Sequence, residues 1–287
     1  MPESFTTLLQ KSWTYFAGHI KPILIAAVVF GIILHFAQAS LAHKTMGSME
    51  DRLGSLDTVK MEELSERIEN GDEQAFQEMM MELGVLGESG EIYEEKMQGM
   101  AVEFMTKLLP SIGVFTIVMM VLSLISFTYF SILAVDDTQS ALHIFRRTPG
   151  LILPIIGISL WSFLRSFSWI PFIGFIPGII IGPRLIFAGV ILIKEQKGVF
   201  DSVKLSYDRS SGYWGKIVGN MILMMLCLCV AGLLLMIAVG IVGMVVPMFV
   251  GVITGALSYL YTAFAAIFVT QLALTVMAYP MRPQKVL

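Results

Sequence analysis

The sequence predicts an all-α fold, a polytopic transmembrane helical bundle of six spans carrying one acidic helical extramembrane insertion. Three observations lead there. Of 287 residues, 56% are hydrophobic and only 14% charged, with a mean hydropathy of +0.77; a soluble domain cannot clothe its surface with so little charge. Several apolar stretches run about 20 residues, enough helix to cross about 30 Å of hydrocarbon. Charge is also segregated. Residues 42–109 hold 16 acidic and 6 basic side chains, a net of −10, and the remainder carries a net of +7. Such asymmetry reads as sidedness in a membrane and not as nucleic-acid binding.

Each element follows from local pattern. Residues 4–20 set Phe5, Leu8, Leu9, Trp13 and Phe16 on one face, which predicts a helix in the membrane interface with Trp13 at headgroup level. Pro22–Leu41 is the first span. The first apolar run is long enough to stay as an anchor and lacks a small-residue cleavage site. Within 42–109, Val59–Glu69 reads as a helix with Met61, Leu64 and Ile68 on one face. Asn70 and Glu73 form a capping box for a second helix bearing Ala75, Phe76, Met79, Met80 and Leu83. A third helix, from about Glu91, runs straight into the membrane. Pro110–Val135 is the second span and Leu151–Trp169 the third. Ile170–Gly178 is a Pro/Gly hairpin, and Ile179–Ile193 is the fourth span. The fifth runs from Ile217 to about Val245 and the sixth from about Phe249 to Ala278. Domain boundaries therefore fall at 1–41, 42–109 and 110–287.

Orientation follows from Lys and Arg near the span ends. The N-terminal segment, the 136–150 and 194–216 connections and the tail hold 11 of them, and the short opposite turns hold none. Both termini are thus expected in the cytoplasm of a prokaryotic plasma (inner) membrane, with 42–109 extracytoplasmic. An amphipathic segment, a polar turn and a rising apolar helix recur at Phe5–Leu24, Ala141–Ile155 and Val199–Ile222, which suggests three repeats of a surface helix plus a helical hairpin.

The stretch Ile179–Met221 has an Arg-bearing helix (Arg184) ending in Glu195, a segment with Ser206, and a Gly212-Tyr213-Trp214 turn into another span. In this it resembles the YciC-like bacterial inner-membrane proteins and the membrane domain of some glycerophosphoryl diester phosphodiesterases. The N-terminal LLQKSWTYFAGHIKPIL is similar to the entry of the same families. The resemblance implies six spans and no established chemistry. The soluble phosphodiesterase domain with its metal ligands is absent, so catalysis does not carry over.

Arg184 is the sharpest candidate. Counting from Ile193 puts it about 13 Å inside the bilayer, where an Arg costs at least about 2.5 kcal/mol on insertion scales. Its expected partners are backbone carbonyls, hydroxyls such as Ser123, Ser126, Ser159 or Thr275, water or an anion. Two uses compete: binding a lipid phosphate with its planar guanidinium, or capping carbonyls freed near Pro177 and Pro183. Arg165 is expected to snorkel outward or meet Glu103. His35 reads as a satisfied buried histidine.

Trp13, Lys197, Phe200, Lys204, Arg209 and Trp214 are expected at the interfacial or cytoplasmic surface. Val199, Phe200, Val203 and Tyr207 form the apolar stripe of the third surface helix, opposite Asp201, Lys204 and Asp208. Cys227 and Cys229 read as packing residues, and four histidines, none at metal-ligand spacing from another, argue against a metal or cofactor. Glu62-Glu63 with Arg67 matches an intramembrane-protease spacing but lies in the acidic insertion. Gly240, Gly243, Gly251 and Gly255 suit close packing of the last two spans.

The reading is non-catalytic: an accessory or scaffold component of a membrane or envelope assembly, surrounded by membrane lipids and engaging other proteins or itself through 42–109. The alternative is binding or transport of a lipid or small anionic solute with Arg184 as contact. An intramembrane enzyme ranks third.

Overall fold

The computed structural model describes residues 3–53, 58–69, 72–82, 86, 93–136, 140–167, 175–245 and 250–278. These residues form helices, turns and short links, with no β-sheet among them. Among the described residues, five helices are long and apolar enough to cross a membrane.

Helix α1, Phe5–Gly18, starts at Ser4, whose hydroxyl accepts from Thr7 N at 3.3 Å. It gives way to α2, Ile20–Leu53, with Pro22 in the first turn, where its missing N–H costs nothing. Helices α3, Thr58–Glu69, and α4, Glu73–Glu82, follow. Helix α5, Glu94–Val135, passes through Pro110 without a break, as the sequence led one to expect. Helix α6, Ala141–Phe167, is continuous through Pro149 and Pro154, so Ala141–Gly150 is helix and not a polar connection.

The stretch expected as one fourth span is broken. Helix α7, Phe175–Leu185, ends at a turn at Ile186–Phe187, and α8, Ala188–Glu195, resumes. The expected 170–178 hairpin is helical from Phe175; residues 170–174 lie outside the described residues. Helix α9, Val199–Arg209, precedes α10, Trp214–Val245, and α11, Val250–Met277. An amphipathic helix leading into an apolar one occurs at α1–α2 and α9–α10; at Ala141–Ile155 the corresponding stretch lies within α6.

The chain divides into two compact units. The first comprises residues 1–35 and 121–287, and the second residues 36–120. In the first, the last two turns of α11 and the start of α10 enclose Leu8, Phe187, Val190, Tyr213, Ile217, Leu272 and Val276. An aromatic cluster joins Phe30 of α2 to Tyr129 of α5, Phe145 of α6 and Tyr259 of α11. Helices α2 and α11 meet backbone to backbone. A Cβ on Gly31 would lie 2.5 Å from Ala256 N, and one on Gly255 would lie 2.9 Å from Gly31 O. Gly251 and Gly255, four apart, thus pack against the first span and not against the fifth, with the His35 ring over Gly251. Nothing lies within 4 Å of a Cβ on Gly240.

In the second unit, α3 and α4 form a hairpin about buried Leu64 and Ala75. Its α4 cap is Asp72, whose Oδ1 accepts from Gln74 N and Ala75 N at 3.0 and 3.3 Å. Asn70, expected in that role, lies outside the described residues. Arg67 spans the turn, donating to Asp72 at 2.7 and 3.0 Å and to Glu78 at 3.1 Å. The Arg67 hydrogen bonds hold the Asp72 carboxyl below its ordinary range, with help from the two backbone N–H groups. Arg67 is therefore part of a structural clasp.

Candidate functional site

Helix α9 is short, and sequence shows why it sits where it does. Ser202, Ser206 and Ser210 recur every four residues, so they share a face, and all three are fully buried with Val203. Small hydroxylated side chains let the neighbouring helices approach closely. Ser206 and Ser210 both donate to Arg184 O, at 2.7 and 3.2 Å. This bonding satisfies a carbonyl that the end of α7 leaves without a helical partner.

Arg184 answers in kind. Its Nη2 donates to Tyr207 O at 3.1 Å, and its guanidinium carbon lies 3.7 Å from the centroid of the Tyr207 ring. Arg165, from the end of α6, lies over the same ring at 4.8 Å. Two guanidinium groups thus converge on one tyrosine. No carboxylate pairs with either among the described residues. Arg184 caps a carbonyl of α9, whereas the Pro177 and Pro183 breaks were the expected recipients. Among the hydroxyls expected as partners, Ser126 donates to Ser123 O inside α5. The Glu103 side chain lies outside the described residues, and Arg165 engages Tyr207.

Glu195 and Arg209 form the second element of the site. Arg209 holds both carboxylate oxygens, Nη1 to Oε1 and Nη2 to Oε2 at 3.2 Å, and also reaches Met277 Sδ at 3.6 Å. The Arg209 hydrogen bond keeps the Glu195 carboxyl below its ordinary range, against a smaller opposing effect of burial. Gly212 follows with φ +79°, a conformation that favours glycine, and turns the chain so that Tyr213 enters the core. Arg184, Glu195, Ser206, Gly212 and Tyr213, far apart in α7, α8, α9 and the turn, therefore meet around one short helix.

The expected surface residues are placed as follows. Trp13 is 60% exposed, stacks on Phe16 and meets Phe264 at a tilt. Phe200 is 65% exposed, against Trp161, and Trp214 is 38% exposed. Lys197 and Lys204 are exposed, and Arg209 is half-buried in its ion pair. The face of α9 turned to the protein carries the serine stripe together with Val203, one member of the stripe expected at the interface. The four-residue serine spacing was the available signal. Cys227 and Cys229 are free and exposed on α10. A shallow apolar groove on the same helix is lined by Met221, Met225, Leu228, Gly232 and Tyr261. Among the described residues, no cluster of His, Cys, Asp or Glu is arranged to hold a metal.

No protein-family model, curated protein or solved structure matches this chain.

Proposed function

We propose that this is a non-catalytic multi-pass protein of a prokaryotic plasma membrane, serving as an accessory or scaffold component of a membrane or envelope assembly. The observation that carries this reading is the α3–α4 hairpin. Its shape is set by the Arg67 clasp and by buried Leu64 and Ala75, while Phe76 remains 50% exposed and Met81 38% exposed. Large apolar groups that the fold does not use are available to a partner or a second copy. The test is photo-crosslinking from position 76 in native membranes, followed by mass spectrometry. A specific adduct, formed alike from positions 76 and 81, is expected. The same adduct profile from a label on the exposed face of α10 would refute the assignment.

A second reading, contact with an anionic headgroup, is favoured by the convergence of Arg165 and Arg184 on Tyr207 without a carboxylate. A planar guanidinium suits phosphate, and each retains several unengaged N–H donors. Lipids retained in polymer discs should be enriched in anionic species in the parent protein. The enrichment should fall in Arg165→Gln and Arg184→Leu; an unchanged lipid profile removes this reading.

Both termini are proposed to be cytoplasmic, which requires an even number of crossings. The count is six if α6 and the discontinuous α7–α8 pair each cross, in three surface-helix-plus-hairpin repeats, and four if they do not. The likeness to YciC-like proteins stays a proposal; the meeting of Arg184, Glu195, Ser206 and the Gly212 turn supports treating those residues as one motif.

A further inference from the structure

We propose that α6 does not cross the bilayer but lies in its interface alongside α9, the two forming an amphipathic platform seated on the anionic headgroup surface of the protein's own membrane. The argument rests on where the two ends of α6 are tied. At its start, α6 follows the end of α5 after five residues. Phe145 packs on Tyr129 of α5 at 4.5 Å between ring centroids, and Arg147 Nη2 donates to Ile193 O of α8 at 3.4 Å. Further along, Trp161 meets Phe200 edge-on at 5.0 Å, and Arg165 lies over Tyr207 at 4.8 Å.

Both sets of partners belong to one face of the molecule. Glu195, two residues beyond the Arg147 contact, pairs with Arg209, two residues beyond Tyr207. Arg209 in turn reaches Met277 at the end of α11. Tyr213, the residue before α10, packs against Leu272 and Val276. Arg147 and Arg165 are separated by about 27 Å along a helix, about five full turns, so they also share a helical face. A crossing helix would carry one of them to the opposite membrane surface. Here α8 and α9 tie both to the ends of α10 and α11 on a single surface.

The sequence of α6 agrees. Helices α10 and α11 are apolar on all sides, as a span must be, whereas α6 is amphipathic and the least apolar of the five long helices. Leu153, Ile156, Leu160 and Phe163 form one exposed stripe, with Leu153 77% exposed. Arg146, exposed, lies at its edge, Lys204 is exposed on α9, and Arg147 and Arg165 lie on the opposite face, against α8 and α9. An exposed apolar stripe with a cation at its edge and another on the neighbouring helix is the pattern of a helix buried to headgroup depth, and these cations select an anionic leaflet. Four crossings then remain, α2, α5, α10 and α11, and Arg184 lies at headgroup level and not near the bilayer centre.

Nitroxide labels at Leu142, Leu153 and Phe163 test this in a Cys227→Ala, Cys229→Ala background reconstituted into phosphatidylcholine vesicles containing phosphatidylglycerol. Ile156 and Leu164 serve as replacement positions, and a label at Met236 on α10 marks a deep site. Depth is read from the relative accessibility to oxygen and to a water-soluble nickel chelate. An interfacial helix gives three similar, shallow depths, within about one helix radius of one another. A profile deepest at Leu153 and shallow at both ends overturns the proposal. Omitting phosphatidylglycerol should raise nickel accessibility along α6 several-fold; no change would overturn the anionic-surface assignment.

Discussion

The backbone contact between α2 and α11 makes a strong quantitative prediction. At the α2–α11 crossing, the atoms that a Gly31 methyl would strike are Ala256 N at 2.5 Å and Ala256 Cα at 2.9 Å. Both are backbone, so no rotamer change relieves the clash, and the helices must part by about 1 Å to restore ordinary contact. In a bilayer, hydrocarbon offers no hydrophobic drive to hold helices together, so lost packing contact falls directly on association. Over-packing of this kind costs about 1–3 kcal/mol. Alanine also gains about 1 kcal/mol of helix propensity over glycine, which would mask part of the loss. Gly240→Ala supplies the reference, since a methyl there meets nothing within 4 Å. Unfolding of the purified protein in mixed micelles, followed by tryptophan fluorescence, should show Gly31→Ala less stable than Gly240→Ala by about 1–3 kcal/mol. Equal stabilities would refute the claim that backbone contact at Gly31 holds these helices. Gly251→Ala should fall between them, because its methyl meets the His35 ring, which can swing.

Three further outcomes are expected. Arg184→Leu removes a charge-assisted hydrogen bond and a cation–π contact and should destabilise the first unit by about 2 kcal/mol, read in the same unfolding assay, with Arg184→Lys recovering part of it. Because Arg209 lowers the Glu195 pKa from its ordinary value of 4.5, the pair's contribution is complete above that value. It declines as pH falls through the lower folded-state pKa; a Glu195→Gln variant should show a flatter loss of stability from pH 6 to pH 3, and parallel curves would count against the pair. Asp72→Ala removes the α4 cap and the Asp72 arm of the Arg67 clasp, leaving Glu78, so amide exchange at Gln74 and Ala75 should become several-fold faster, with Asp72→Asn intermediate.

How much of this was legible in the sequence varies by element. The strongly apolar helices α10 and α11 were read nearly to their ends, because twenty or more apolar residues admit one solution in hydrocarbon; the apolar part of α2 was read as well, but the helix continues to Leu53, past the expected end at Leu41. The passage of α5 through Pro110 was also foreseen. Helix α6 was the hard case. It combines span-like length with an amphipathic face, and composition averages over the very asymmetry that separates a crossing helix from a surface one. Periodicity selected Val199, Phe200, Val203 and Tyr207 as the interfacial apolar stripe of α9. Phe200 is exposed accordingly, but Val203 turns inward with Ser202, Ser206 and Ser210, the last two of which supply donors to a carbonyl of α7.

By itself, the sequence determined the membrane class, the acidic insertion, the all-helical content and the residues worth watching, because each follows from local composition and helical period. Only the tertiary structure decided what those residues touch. Arg184 was placed by counting along one unbroken helix, but the chain breaks at Ile186–Phe187, and its guanidinium turns to a carbonyl and a ring more than twenty residues ahead. Glu195 finds Arg209 across a turn, and Gly255 finds Gly31 across most of the chain. Such pairings depend on where helices bend and cross, which is set by packing between distant segments and leaves no periodic trace in either one.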